Sequence, residues 1–352
     1  MKFTKCEFPG IHIVLPRLPS GSASTMVLNF TPGDIEAAER AFDELGPTAR
    51  LCIDFVENPR QLRLYESSRR TALSELSMSG LVEALQKSSN LEMNVSHTIL
   101  LMRRVGESDP EDERYLQDYT IEPITPLVRQ ELKLKLMEAK QEERLRLYEL
   151  FEKVPESRPV AGIAFEAIGQ SQLQKEVALT LVPMVKHPPI GRRRLALWKS
   201  QVIDDSMPMS TEGSSSGSVG AIARNGQLSI SFKPYDVIQF QKRTLSALRP
   251  GVFYVPMSLK QEAFDSFAVI DGVLYIFQFT IANSHSIKGG LVDFFSQQSF
   301  QPILQGIEWR FIFVIPRGSG LVCPGSTDAR MKKFWEGGKL FSAEIDPAKQ
   351  EG

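Results

Sequence analysis

The segment from Ala263 to Thr280 constrains the fold more than any other part of this chain. It contains two runs of β-branched and aromatic residues joined by Asp271-Gly272, a dipeptide typical of two-residue hairpin turns. If these two residues form the turn, Asp265 lies opposite Gln278, with their Cβ atoms about 5 Å apart. The sequence therefore predicts a hairpin with a carboxylate facing an amide near its open end.

Both faces of this predicted hairpin are apolar. Alternation places Asp265, Gln278 and Thr280 on one face, together with Phe267, Val269, Leu274 and Ile276. The other face carries Phe264, Ala268, Ile270, Val273, Tyr275, Phe277 and Phe279. Such a hairpin is typical of the interior of a sheet, where a carboxylate is costly unless it is paired or binds a metal ion. We therefore expect a polar cluster of functional interest at its end.

The overall composition is that of an ordinary globular protein. The chain has 352 residues, 42% hydrophobic and 24% charged, which is enough for two domains. A net charge of −1 gives no basic field for nucleic acid or membrane, so a phosphate-binding surface would have to be local. Three scattered cysteines, no apolar signal-like N-terminus and no membrane-length apolar run predict an intracellular protein, cytoplasmic or nuclear, without a membrane partner.

Residues 1–155 are predicted to form a mostly helical region. One capped helix is expected within 31–46 and a second over Arg70–Lys87, while Leu91–Val105 could include a strand. The segment 126–153 is rich in strong helix formers of mixed charge, which predicts a long surface helix with one buried stripe. A coiled coil is the alternative for this segment.

Residues 156–340 are predicted to form an α+β domain with a central mixed sheet. A mainly apolar helix at Val160–Gln170 carries one carboxylate, Glu166. Strands, the hairpin, a helix and a last strand follow, at Glu176–Val185, Gln227–Phe232, 263–281, Gly290–Gln298 and Trp309–Pro316. Between the first two strands, a Ser/Gly-rich insertion at 203–220 is expected to be mobile.

Several short strings in this order resemble a known family. They are Ala161-Gly-Ile-Ala-Phe-Glu166, Phe253-Tyr-Val-Pro256, Ala263-Phe-Asp265, Phe277-Gln-Phe-Thr280 and His285-Ser-Ile-Lys288. Together they resemble the C-terminal domain of Crinkler and retrotransposon-hotspot (RHS) type effectors, proteins of fungi, oomycetes and other eukaryotes. That resemblance implies a restriction-endonuclease-like αβββαβ fold of the PD-(D/E)xK class, and it leaves open an unconventional export to a host cell.

The resemblance also implies a chemistry, the magnesium-dependent hydrolysis of DNA phosphodiesters. Asp265 would be the main metal ligand, Gln278 would offer its amide oxygen, and Glu166 would ligate or support from the helix. Thr280 stands where the family has its activating lysine, so Lys288, Lys260 or His285 would have to supply a cation. The basic run Arg192, Arg193, Arg194 would contact DNA phosphates, unless it is simply a solvated face.

In this family the nuclease-like domain usually follows a P-loop ATPase. Residues 26–120 resemble the helical lid end of such an ATPase, but the chain has no G-x-x-x-x-G-K-(S/T) string, so neither nucleotide triphosphate binding nor ATPase activity is expected. Two other functions stay open: a binding module for nucleic acid or protein whose catalysis has lapsed, and a scaffold that uses the 126–153 helix. Asp265 as a strand cap and Glu166 as a salt-bridged carboxylate are the structural alternatives.

Overall fold

The structure is a computed structural model that describes residues 3–8, 11–16, 58–86, 99–104, 119–188, 196–201, 227–234, 236–240, 245–257, 263–326, 328, 330–331 and 339–349. The chain divides into two compact units, Met1–Leu132 and Lys133–Gly352. The helix predicted within 31–46 and the insertion at 203–220 lie outside the described residues. None of the helices in the described ranges is long and apolar enough to cross a membrane.

The first unit combines helices with two antiparallel hairpins. β1 (Phe3–Phe8) pairs with β2 (Ile11–Pro16), and β3 (Leu100–Arg104) pairs with β4 (Tyr119–Pro123). The expected strand within Leu91–Val105 is therefore present, whereas the prediction of a mostly helical region missed the other three strands. The two helices are α1 (Pro59–Glu75) and α2 (Met78–Gln86).

The single helix predicted over Arg70–Lys87 is wrong, because α1 ends at Glu75 and a new helix begins at Met78. The backbone of Leu76 is extended (φ −65°, ψ 105°), which breaks the helical path between them. At its other end α1 begins at Pro59, directly after Asn58, whose side chain accepts a hydrogen bond from Arg60 N at 3.2 Å. A capping Asn followed by Pro is a favourable start for a helix.

The long surface helix predicted over 126–153 is also wrong. It is two helices, α3 (Pro126–Glu138) and α4 (Gln141–Phe151). Lys140 is extended between them (φ −63°, ψ 149°), and its backbone N donates to the Glu143 carboxylate at 3.3 Å, which starts α4 afresh. The expected buried stripe exists, since Val128, Leu132, Leu136 and Leu147 have no exposed surface.

The second unit is a mixed α+β structure around a large curled sheet of eight strands. α5 (Arg158–Leu173) is the predicted apolar helix with Glu166. The sheet has the order β8-β5-β15-β13-β12-β11-β10-β9. Their bounds are β5 Val177–Pro183, β8 Leu228–Phe232, β9 Asp236–Phe240, β10 Val252–Pro256, β11 Ser266–Ile270, β12 Val273–Phe279, β13 Glu308–Pro316 and β15 Leu340–Ile345.

Smaller elements complete this unit. A three-stranded sheet has the order β14-β7-β6, formed by β6 (Val185–His187), β7 (Leu197–Lys199) and β14 (Val322–Pro324). Two short helices, α6 (Gly290–Phe295) and α7 (Gln301–Leu304), connect β12 to β13. The helix predicted at Gly290–Gln298 is thus present in shorter form, and the strand predicted at Trp309–Pro316 is β13.

The chain connectivity explains why the large sheet curls. β8 and β9 are its two edge strands, yet only three residues separate Phe232 from Asp236. So short a link spans at most about 14 Å, whereas the edges of a flat sheet of eight strands are about 34 Å apart. Accordingly, the Phe232 ring on the edge strand contacts Phe277 of central β12, with centroids 5.2 Å apart.

The hairpin at the centre of the sheet follows the predicted register. Ser266 pairs with Phe277 and Ile270 with Val273, so the loop consists of two residues. Asp271 and Gly272 have φ of 50° and 72°, the left-handed conformations of a type I′ turn. Neighbouring strands flank both sides of the hairpin: β10 is antiparallel to β11, and β13 is parallel to β12.

Both faces of the hairpin are packed. On one face Phe267, Leu274 and Ile276 join an aromatic cluster with Phe294 and Phe295 of α6. On the other face α5 lies against β12, where a Cβ on Gly169 would overlap the Phe279 ring. Glycine at this position lets the helix backbone approach the sheet, and this approach brings the polar residues of α5 to the end of the hairpin.

Candidate functional site

The Asp265 carboxylate closes the end of the hairpin. β11 begins at Ser266, so the backbone N of Phe279 at the end of β12 has no strand carbonyl to pair with on that side. The Oδ2 atom of Asp265 accepts from this N at 2.7 Å and from Gln278 Nε2 at 2.6 Å. The predicted convergence of Asp265 and Gln278 is therefore present as a direct hydrogen bond, and Asp265 also acts as the strand cap.

Glu166 lies on α5 and is 4% exposed. Its Oε1 forms an ion pair with Lys133 Nζ of α3 at 2.9 Å, and Lys133 is 5% exposed. A buried carboxylate is costly alone, and the ammonium offsets its charge. Glu166 is thus a salt-bridged carboxylate, and the lysine that pairs with it is one that the sequence analysis did not consider.

Gln170 joins the helix carboxylate to the hairpin. Its Nε2 donates to the backbone O of Asp265 at 3.0 Å and lies 3.4 Å from Glu166 Oε1. Hydrogen bonds therefore connect Lys133, Glu166, Gln170, Asp265 and Gln278 in one continuous chain. Glu166 reaches the hairpin through an amide and a backbone carbonyl, not by direct contact with the Asp265 carboxylate.

Two oxygen atoms at this site are buried without a hydrogen-bond partner. They are Gln170 Oε1 and Ser266 Oγ, and both residues have no exposed surface. A buried polar atom without a partner is unfavourable by about 1–3 kcal/mol, so most such atoms are satisfied by protein, water or an ion. Asp265 is half-buried, so the network extends from the interior towards the surface.

The remaining predicted residues have other contacts. Thr280 is buried, and its Oγ1 accepts from Ala282 N at 3.1 Å in the turn after β12. Lys288 is exposed and directly precedes α6, where its carbonyl accepts from Leu291 N at 3.2 Å. His285 N donates to Val322 O at 3.0 Å, and its ring lies 5.8 Å from that of Phe313.

Several predicted DNA-contacting residues cannot be placed. Lys260 and the run Arg192, Arg193, Arg194 lie outside the described residues.

The donor atoms of the site suit a hard cation. Carboxylate, amide and hydroxyl oxygens are the ligands that Mg²⁺ takes in proteins, and the partnerless Gln170 Oε1 is an acceptor of this type. Across the described ranges, no three side chains of His, Cys, Asp or Glu are grouped so as to hold a metal ion. A cation at this place would therefore have to rely on amide, hydroxyl or water oxygens besides the two carboxylates.

The predicted amide ligand, Gln278, fits this role poorly. A carboxylate is an acceptor, so the group of Gln278 that faces Asp265 at 2.6 Å must be its NH₂. Its amide oxygen is therefore on the side away from that contact.

A different depression of about 260 Å³ lies between α4 and the ends of β13 and β15. Its walls include Tyr148, Glu149, Glu152, Arg317, Ser319 and Asp346. Burial, together with a hydrogen bond to Glu152, raises the pKa of Tyr148. The phenol is therefore neutral at physiological pH and does not provide a nucleophile.

Comparisons of this chain with protein-family models, with curated proteins and with solved structures found no match.

Sequence analysis missed Lys133 and Gln170. Lys133 lies in Leu132-Lys-Leu-Lys-Leu136, where leucines on several sides of the helix indicate a wide buried face, and that signal was available. Gln170 is one turn after Glu166 and therefore on the same face of the helix. Neither pattern alone identifies the hairpin as the contact, because that contact depends on how α5 packs.

Proposed function

We propose that the second unit is a metal-dependent phosphodiesterase of the nuclease type that acts on DNA. The observation that carries this proposal is the hydrogen-bonded chain in which Asp265 and Gln278 meet at the hairpin end and Glu166 is joined to them through Gln170. The order of elements supports it as well. α5 precedes an antiparallel β10-β11-β12 meander, and α6 then leads to β13, which is parallel to β12. This is the αβββαβ succession of PD-(D/E)xK domains, with β5–β9 inserted after the helix.

The proposed reaction is the hydrolysis of a phosphodiester. A water oxygen forms a bond to phosphorus and loses a proton to solvent. The bond from phosphorus to the leaving sugar oxygen breaks, and that oxygen keeps the electron pair and takes up a proton. The products are a phosphomonoester and an alcohol. When bound, Mg²⁺ supplies a more acidic water and offsets the charge on the phosphate.

The residues of the chain have distinct roles in this proposal. Asp265 is the principal cation ligand, since it is the half-buried carboxylate at the hairpin end. Gln278 and the Phe279 backbone hold its orientation through Oδ2. Glu166 and Lys133 form the inner support, and the exposed Lys288 is a candidate to meet the phosphate. Lys260, His285, Arg192, Arg193 and Arg194 are the further proposed DNA contacts.

Supercoiled plasmid tests the proposal directly. Purified protein with Mg²⁺ should nick the plasmid, and both EDTA and Asp265→Ala should abolish nicking. Asp236→Ala is a matched control, because Asp236 is an exposed aspartate that also accepts from a backbone N, that of Val237 at 2.8 Å. Failure of the folded wild-type protein to nick DNA with Mg²⁺ or Mn²⁺ would reject the proposal.

A nucleic-acid- or protein-binding module without catalysis is the second candidate. Two observations favour it: Thr280 stands in place of the activating lysine with its hydroxyl engaged by Ala282 N, and Lys133 already neutralises Glu166. Such a module should bind labelled DNA in EDTA without nicking it, and Asp265→Ala should leave the affinity unchanged. The two candidates therefore predict opposite effects of EDTA and of this substitution.

A further inference from the structure

Two buried oxygens beside Asp265 lack a donor, and we propose that they are cation ligands: the amide oxygen of Gln170 and the hydroxyl of Ser266. This inference rests on the proposed function and changes its ligand set. Gln170 on the helix supplies the amide oxygen that the sequence assigned to Gln278. The site would then draw on neutral oxygens of α5 and β11 together with the carboxylates of Asp265 and Glu166.

The hydrogen bonds fix which end of the Gln170 amide is the oxygen. Its two neighbours on one side, Glu166 Oε1 at 3.4 Å and Asp265 O at 3.0 Å, are both acceptors. The NH₂ group must face them, so Oε1 is the atom left without a partner. This atom is oriented by its own side chain's contacts before any ligand arrives.

The strand register places Ser266 in the same layer. Ser266 pairs with Phe277 and therefore shares its sheet face, as does Phe279 two residues further along β12. α5 covers this face, because Gly169 packs against the Phe279 ring. Gln170 follows Gly169, and its Nε2 lies on the carbonyl of the residue before Ser266. Both partnerless oxygens thus lie between α5 and the start of β11.

The charges of the cluster select the class of ligand. Two carboxylates, Asp265 and Glu166, face one ammonium, Lys133, so the named groups carry a net negative charge. A negative cluster with oxygen donors suits a hard divalent cation such as Mg²⁺, and it disfavours a phosphate anion. A single ordered water molecule is the competing occupant, because it would also satisfy both oxygens.

Cation-induced thermal stabilisation tests the ligand set without any need for hydrolysis. Wild-type protein should show a rise in melting temperature with Mg²⁺ or Mn²⁺ over EDTA, as expected for binding to the folded state. Ser266→Ala removes an oxygen that has no protein partner, so the variant should fold as well as wild type in EDTA. We expect it to lose at least about fivefold in Mn²⁺ affinity by calorimetric titration, or about 1 kcal/mol.

Gln170→Met should lose at least about tenfold in Mn²⁺ affinity, because it removes the proposed amide ligand. Gln172→Met is the matched control, since Gln172 lies on the same helix and its Nε2 also donates to a backbone carbonyl, Asp346 O at 3.1 Å. The control should bind Mn²⁺ as wild type does. If Gln170→Met fails to fold, Ser266→Ala alone decides.

The outcomes separate this inference from the proposed function. Unchanged Mn²⁺ affinity in Ser266→Ala, or no cation effect on wild-type protein, overturns the ligand set and identifies the occupant as water. Plasmid nicking by wild type would in that case leave the proposed function standing. Reduced cation affinity in both variants without any nicking by wild type would support the ligand set and reject the nuclease.

Discussion

Lys133 and Glu166 form an ion pair in the interior of the second unit, with Nζ 2.9 Å from Oε1 and side chains 6% and 5% exposed. The pair joins α3 to α5, and α5 carries the residues that meet the hairpin. Its desolvation offsets much of the attraction between the charges, so the pair contributes little net stability. Its loss on one side only, however, would leave a charge buried in the layer that supports the candidate site.

Lys133→Met should destabilise the protein by about 3–5 kcal/mol, because the Glu166 carboxylate would remain buried without its ammonium. The double variant Lys133→Met, Glu166→Leu should recover most of this loss, since it leaves no charge behind. Urea unfolding measures both, and Lys153→Met, a change at an exposed lysine, should stay within about 0.5 kcal/mol of wild type. A double variant as unstable as Lys133→Met would contradict the proposed cause.

Asp265→Ala in EDTA should lower the free energy of unfolding by about 1–3 kcal/mol, because Phe279 N and Gln278 Nε2 would both lose their acceptor. Asp265→Asn should lose less, since its carbonyl oxygen can still accept from Phe279 N. Thermal melts of the two variants give this order directly. Equal losses would mean that the strand cap contributes nothing beyond the charge.

Gly169→Ala should destabilise the second unit by about 1–3 kcal/mol, since its Cβ would overlap the Phe279 ring and push α5 away from β12. Gly162 on the same helix is the natural control, because its Cβ would meet nothing closer than Ile281 Cγ1 at 3.9 Å. Gly162→Ala should be neutral or stabilising by up to about 1 kcal/mol through helix propensity. Equal effects of the two changes on urea unfolding would show that packing at Phe279 is not the reason for Gly169.

The sequence predicted the hairpin well because its information is local. Asp271-Gly272 selects the two-residue turn, alternation selects the register, and together they place Asp265 opposite Gln278. The Ser266–Phe277 pair and the buried burial pattern of β12 follow from the same reasoning. No information from distant parts of the chain is needed for this step.

The parts that failed depend on contacts between distant residues. Lys133 is 33 positions from Glu166, and a lysine among helix formers is usually on a solvated face. Strands β9, β14 and β15 are short, and their pairings are set by the curl of the sheet and by crossovers, so no local period indicates them. The helix boundaries at Leu76 and Lys140 failed for a related reason, since neither position carries Gly or Pro.

Alkaline pH should weaken folding through Cys323, a buried thiol 3% exposed. Burial raises the pKa of this thiol from 9.0 to about 12, so the folded state holds the proton more tightly than the unfolded chain does. This contribution to stability is complete below pH 9 and is lost as the pH rises towards 12. By linkage, the loss over that window is on the order of 2–4 kcal/mol. Urea unfolding under reducing conditions at a series of pH values should therefore show a shallower alkaline decline for Cys323→Ala than for wild type. Parallel declines in the two proteins would mean that the tyrosines, and not this thiol, carry the alkaline sensitivity, since burial also raises the pKa of Tyr275.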